Sequence, residues 1–439
     1  MRTFKGKRLG RAGVLVGIVG SVALAACDLT VTNPGPVADE SLNSGSAFRA
    51  TLNGAIRSLS ETLSLVGVDV AIRTREMNPT ALNDYFGIES NAWEGVGDVD
   101  DVVGWGDGHD ARWLADDAVR RFEEVLGSAA SSNALVAEAY LWGGYAYRLM
   151  GEYFCEAVFD GGPAMASSEW FTRAESRFTS AITHGQAAGD PAIVSAATAG
   201  RASVRVSLGD WPGAVGDAGD IVDPDFSWST PYYSSGDWRL YNVFYYYSAP
   251  EAPSQVFTTW NTVYESYYTN TSDPRTPWVS DPDRQYGSGS LQGVSIPWWR
   301  PTKYTGSESP IEMSSYGEMR LIEAEALLRS GTAQDITDAM AIINGLRSEA
   351  GVTAWPAPAS LDEAWGYLKR ERGIELWLEG RRLADFRRWA AEGTPGALDP
   401  LELGLVPRDG VTSPDLTNAD LCMPIPNTER EQNDNLPVL

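Results

Sequence analysis

Residues Lys369 to Trp389, KRERGIELWLEGRRLADFRRW, constrain this chain more than any other stretch. At helical spacing Ile374, Trp377 and Leu378 make one apolar stripe, and after Gly380 a second begins with Leu383, Phe386 and Trp389 or Ala390. Both stripes need a core to pack against. Glu371, Glu375 and Glu379 recur every fourth residue beside Arg372, Arg381, Arg382, Arg387 and Arg388, so bidentate arginine–carboxylate bonds are available. The spacing predicts a helix pair braced by its own ions. An anion site built on the arginines is the competing reading, but such networks mostly set geometry.

The first residues carry a second signal. Arg2, Lys5, Lys7, Arg8 and Arg11 precede the apolar run GVLVGIVGSVALAA, which ends in Leu24-Ala25-Ala26-Cys27. The run is too short for a membrane span of about 20 residues, and small residues before a cysteine fit a lipoprotein signal peptide. Residues 1–26 are therefore expected to be removed and Cys27 to carry lipid. A tether with Pro34 and Pro36 fills 27–43, and a helix capped by Ser44 or Ser46 follows.

Tyr316 to Gly351 reads as two antiparallel helices, with apolar positions at Met319, Ile322, Ala326 and Leu327 and then at Ile336, Met340, Ile343 and Leu346. Related pieces lie at 134–154 and 197–222, the latter with the turn Gly-Asp-Trp-x-x-Ala at Gly209 to Ala214. Helix hairpins of this size look like tetratricopeptide units. The 369–389 run is similar to the ERR-x-EL-x-x-EG-x-R-x-x-D-x-x-R-W signature of the SusD/RagB family of outer-membrane nutrient-binding lipoproteins. Met423-Pro424-Ile425-Pro426 with Asn433 and Asn435 resembles that family's ending, and the order of segments matches it along most of the chain. The resemblance implies a mainly α, SusD-like body. In it, a tetratricopeptide-like scaffold over 44–224 and 311–439 carries a loop-rich, aromatic-rich insert over 225–310, with a few short strands.

Composition agrees with an exported globular protein. The formal net charge is −25, and loss of residues 1–26 leaves 29 basic against 59 acidic residues. Such a surface repels nucleic acid and anionic polymers. Apart from Cys27 the chain has only Cys155 and Cys422, which either bridge, stabilising the fold across a long loop, or stay as two buried thiols.

Aromatic residues crowd the insert. Between Phe226 and Tyr304, rings including Trp238, Tyr267, Tyr268, Trp278, Trp298 and Trp299 alternate with Pro, Gly, Ser and Asp. Rings on loops suit sugars, because a pyranose C–H face packs on an apolar ring while polar neighbours take its hydroxyls. Stretches such as Val243 to Tyr247 and Gln255 to Tyr264 also read as short strands with rings turned inward. An earlier loop, Asn83 to Asp110, adds Asn83, Asp84, Tyr85, Trp93 and Trp105 as ligand candidates, since in SusD-like proteins an early loop helps form the site. Its carboxylates Asp98, Asp100, Asp101, Asp107 and Asp110 do not follow the order of an EF-hand loop and read as solvated.

With His109 and His184 the only histidines, histidine-based triads and zinc sites have almost nothing to build on. No phosphate loop occurs, and neither a metal nor a cofactor is expected. The family resemblance implies a lipid-anchored outer-membrane protein, at the cell surface, that binds an oligosaccharide or similar nutrient and passes it to a SusC-like TonB-dependent transporter. The rival readings are a lipid-anchored glycoside hydrolase using two carboxylates, and a tetratricopeptide adaptor binding only protein.

Overall fold

Two-residue reversals, a glycine followed by a short capping side chain, organise the helices. The computed structural model describes residues 38–82, 93, 102–251, 255–414, 416 and 421–437, and those from Leu42 onward belong to one unit. In its first part lie α1 (Phe48–Arg73), α2 (Trp105–Leu126), α3 (Ala134–Tyr153), α4 (Ser168–Ala188), α5 (Pro191–Leu208) and α6 (Trp211–Gly219). After them come the short α7 (Val243–Tyr246) and α8 (Val263–Thr271), then α9 (Tyr316–Ser330), α10 (Ala333–Glu349), α11 (Leu361–Glu375), α12 (Arg382–Glu392) and α13 (Asn427–Gln432). Helix α4 ends at Gly189 in the left-handed region, φ 69°, and Asp190 then accepts hydrogen bonds from the Ala192 and Ile193 amides to start α5. Gly209-Asp210 between α5 and α6 and Gly331-Thr332 between α9 and α10 repeat the device. Glycine tolerates that φ, and the side-chain oxygen satisfies amides that the next helix leaves free.

Most successive helices of the scaffold pack on one another. Helix α2 lies against α1 and α3, α4 joins α3 to α5, and α9 contacts α6, α10 and α11. Phe178 on α4 shows how small residues permit this closeness. A Cβ at Gly144 would sit 2.7 Å from its ring and one at Gly200 2.5 Å, so the ring fills notches in α3 and α5.

The insert holds most of the ten short strands described: β1 (Asn78–Pro79), β2 (Glu156–Ala157), β3 (Met165–Ala166), β4 (Ser227–Thr230), β5 (Phe257–Thr258), β6 (Trp278–Ser280), β7 (Tyr286–Leu291), β8 (Val294–Pro297), β9 (Trp299–Pro301) and β10 (Ile311–Ser315). They form five antiparallel pairs, β1 with β5, β2 with β3, β4 with β10, β6 with β9 and β7 with β8. Pair β4–β10 closes the insert at its base. Val243–Tyr246 is a helical turn capped by Asn242, not the strand that its alternation suggested. Helix α1 begins at Phe48 behind Ala47, which offers no cap, so Ser44 and Ser46 lie outside it and hydrogen-bond each other at 3.1 Å.

The 369–389 run forms α11 and α12 but braces more than itself. Within the pair, Arg372 holds Asp385 bidentately at 2.9 and 3.0 Å. Arg388 adds a second hold on Asp385 at 3.1 Å, and further partners lie outside. Arg381 reaches Glu318 on α9 at 2.7 Å and Glu152 on α3 at 3.0 Å, Arg388 reaches Glu325 on α9, and Arg382 reaches Glu402. The glutamates turn the opposite way. Glu371 pairs with Arg347 at 2.9 Å and Arg275 at 2.9 Å, Glu375 with Arg275 at 2.7 Å, and Glu379 with Lys303 at 2.6 Å. Burial alone would push the Glu318 carboxyl up, and Arg381 with Arg148 holds it below its usual value. The helix also stops sooner than the stripe implied, at Glu375. Trp377 and Leu378 sit in a turn where Leu378 has φ 59°. That turn is fixed by Glu76, which accepts the Leu378 amide at 2.9 Å, and by Tyr304, whose hydroxyl donates to the Leu378 carbonyl at 2.8 Å.

The C-terminal segment latches onto the end of α3. Cys155 and Cys422 form a disulfide across 267 residues of sequence. Beside it Phe154 pairs with Met423, and Asn433 and Asn435 donate to the Gly162 and Gly161 carbonyls at 2.9 and 2.8 Å.

Three outcomes follow. Cys422→Ser should lower the unfolding free energy by about 3–5 kcal/mol, seen as a reductant-sensitive melt in the wild type that the variant lacks. Arg381→Ala leaves the Glu152 and Glu318 carboxylates buried without their shared partner and should cost about 3–5 kcal/mol by urea denaturation. Glu76 is fully buried with no ion-pair partner among the described residues, and burial, opposed first by Arg382, pushes its carboxyl up to about 7. Because that value exceeds the ordinary 4.5, the folded chain holds the extra proton between those two pH values. Its contribution is therefore full below about pH 4.5 and is lost as pH rises through 7. Glu76→Gln should flatten the fall in stability between pH 5 and 8 by up to about 3 kcal/mol. Glu379, pushed up to about 8 by burial, keeps part of the slope. An unchanged slope would show that Glu76 titrates normally.

Candidate functional site

Strand register in the insert builds a ladder of rings. In the β6–β9 pair Trp278 lies opposite Pro301 and Trp299 opposite Ser280, so the two tryptophans are diagonal neighbours on one face, within reach for large rings. Their centroids are 5.2 Å apart with planes 20° from parallel. Tyr268 on α8 follows on one side, 6.1 Å from Trp278, and the Arg408 guanidinium on the other, 5.4 Å from Trp299. Arg408 is held by Glu265 at 2.6 Å, and the Trp278 indole N–H donates to the Glu265 carbonyl at 3.3 Å. The three rings are half-buried, so each keeps some solvent-facing surface. The face offers apolar area, one carboxylate and one guanidinium, a set suited to a hydroxylated ligand.

The other nominated residues divide. Trp298 has no exposed surface and points into the core, a correction that strand alternation explains, since turning Trp299 outward turns its neighbour inward. Trp93 is 3% exposed with the Arg75 guanidinium 4.6 Å over its ring, and Trp105 is 6% exposed, its indole donating to Glu429 at 3.3 Å. Both serve as packing, not as a surface for ligand. Trp105 also opens α2, so Asp107 and Asp110 are helical, not part of a loop. Trp238 is half-buried on a single 3-10 turn packed against α1, on a different element from the ladder. Asn83, Asp84 and Tyr85 lie outside the described residues, as does Cys27.

On the far side of α8 lies a cleft of about 620 Å³ lined by Tyr267, Trp355 and Tyr367. Sequence reading passed over Trp355 and Tyr367, because they are about ninety residues from α8 along the chain and sit in segments that read as ordinary scaffold. The available signal was weak, an aromatic pair bracketing the Pro-rich turn WPAPAS. Among the described residues no cluster of His, Cys, Asp and Glu could hold a metal, and no helix is long and apolar enough to cross a membrane.

The SusD family model matches residues 227–437. A SusD superfamily protein from Bacteroides vulgatus superposes with a TM-score of 0.59 at 14% identity, covering 89% of this chain and 98% of that one. Surface glycan-binding protein A from Bacteroides uniformis gives 0.65 at 16%, covering 90% and 99%. A structure solved with xylogluco-oligosaccharide gives 0.62 at 15%, covering 89% and 97%. No curated protein sequence matches this chain significantly. A SusD family match over residues 227–437, which takes in the insert and the signature helices, thus goes with a SusD-like fold shared along about nine-tenths of the chain.

Proposed function

We propose that this protein is a lipid-anchored outer-membrane protein that binds an oligosaccharide and delivers it to a SusC-like TonB-dependent transporter. The observation that carries the binding role is the ladder of Tyr268, Trp278 and Trp299 beside the Glu265–Arg408 pair. Pyranose C–H groups pack on the rings, while the carboxylate accepts and the guanidinium donates hydrogen bonds to hydroxyls. The names of two neighbours of the same fold, a surface glycan-binding protein and a structure with xylogluco-oligosaccharide, support that ligand class. The anchor would be Cys27, behind the basic and apolar leader. Capture without chemistry is the reading, since the carboxylate beside the ladder, Glu265, is tied to Arg408 with no second carboxylate described opposite it, and histidine-based catalysis has little to use.

The test is a glycan array probed with the full chain in detergent, repeated with Trp278→Ala and Trp299→Ala variants of unchanged circular dichroism. Loss of binding by about tenfold or more in either variant is expected. Binding that survives both would move the site away from the ladder. Release of shortened sugar from a bound glycan would instead establish a hydrolase. Co-isolation of a barrel transporter with the lipoprotein tests the delivery step, and its absence would remove that part of the proposal.

A further inference from the structure

The cleft on the far side of α8 has its own built-in order. Trp355 and Tyr367 lie parallel, centroids 5.2 Å apart and planes 9° from each other, with Tyr267 6.4 Å from Trp355. The polar end of each ring is tied down. The Trp355 indole N–H donates to Glu371 at 2.7 Å, the Tyr367 hydroxyl to Glu363 at 2.7 Å, and the Tyr267 hydroxyl to Asp273 at 2.6 Å while accepting from Arg347 at 3.0 Å. Rings anchored in this way cost little further ordering when a ligand arrives. The volume, about 620 Å³, falls in the range of small-molecule sites.

Charge narrows the ligand. Arg370, the cleft's guanidinium, is committed to Asp399 at 3.1 Å. The carboxylates of Asp362 and Glu363 accept the Gly396 and Ala359 amides, at 2.9 and 2.6 Å. A phosphate, sulfate or uronate would find no uncommitted cation on the lining. Besides these two exposed carboxylates, which favour hydroxyl donors over anions, the mouth offers the exposed Ser266 hydroxyl and Asn270 amide. Apolar rings with carboxylate, hydroxyl and amide partners for hydroxyls match a hydroxylated ring that has an apolar face.

Position links the cleft to the ladder. Tyr267 and Tyr268 are consecutive on α8, turned by about 100° about its axis, one toward the cleft and one toward Trp278. We infer that the cleft is a second binding site, for a neutral pyranose-containing oligosaccharide, and that it engages the same glycan chain as the ladder across α8. The inference rests on the glycan-binding reading above. Two contacts on one chain make the second intramolecular, so affinity should rise with chain length beyond what either site gives alone.

A blocking variant is available. A Cβ at Gly366, on the cleft wall, would meet no atom within 4 Å, so Gly366→Phe fills the space without disturbing the core. The full chain, Gly366→Phe, Tyr367→Ala and Trp278→Ala are titrated by calorimetry with neutral oligosaccharides from disaccharides upward, each variant first checked by thermal melt. The expected result is that Gly366→Phe and Tyr367→Ala weaken the longer oligosaccharides by about tenfold or more and abolish the gain with length, and that Trp278→Ala does the same from the other side. Wild-type binding that neither cleft variant changes overturns the inference and leaves the glycan-binding reading standing. No binding of any neutral oligosaccharide by the wild type removes both. Preference for an acidic glycan, lost in Gly366→Phe, overturns the assigned ligand class.

Discussion

Arg381 is the point on which the two parts of the scaffold depend. Its guanidinium joins Glu152 at the end of α3, Glu318 at the start of α9 and the Met313 carbonyl of β10, all of them buried. A charge so far from water must have its partners in place. Any packing that moved α3 against α9 would strand a carboxylate or the guanidinium. Such a set adds less net stability than its attraction implies, because every member gave up water. Its effect is on which arrangements are permitted, and it permits the one in which the early helices and the C-terminal signature share a core.

The signature divides its labour by charge. Its arginines face the helical scaffold, whereas Glu371 and Glu375 turn to Arg275 of the insert, and Glu371 also takes Arg347 of α10. Glu371 also accepts the Trp355 indole N–H, and Arg347 donates to Tyr267. Two rings of the cleft, Trp355 and Tyr267, are therefore held by the same buried ions that fix the fold. Rigidity at the cleft is a by-product of the core's need to pair its charges.

How much could be read beforehand follows from range. The helices at 134–153 and 316–349 and the reversal at Gly209-Asp210 were legible because periodicity and capping are local. The Arg/Glu run was legible as a network but not in its wiring, since the true partners Arg275, Lys303, Arg347 and Glu402 are distant in sequence. At the candidate site, Trp278 and Trp299 could be nominated from aromatic density alone. Separating Trp299 from Trp298 required the strand register. Trp355 and Tyr367 carried no local mark, because only the tertiary fold brings them to α8.

The bridge between Cys155 and Cys422 also has a mechanical meaning. Tension applied between a point before Cys155 and a point after Cys422 passes through one covalent bond instead of through the 267 residues that separate them. The ladder, the cleft and the whole signature lie inside that closed ring. The segment that carries them is thereby taken out of the load path, and a pull that would peel the C-terminal latch from α3 leaves it undeformed until a bond breaks.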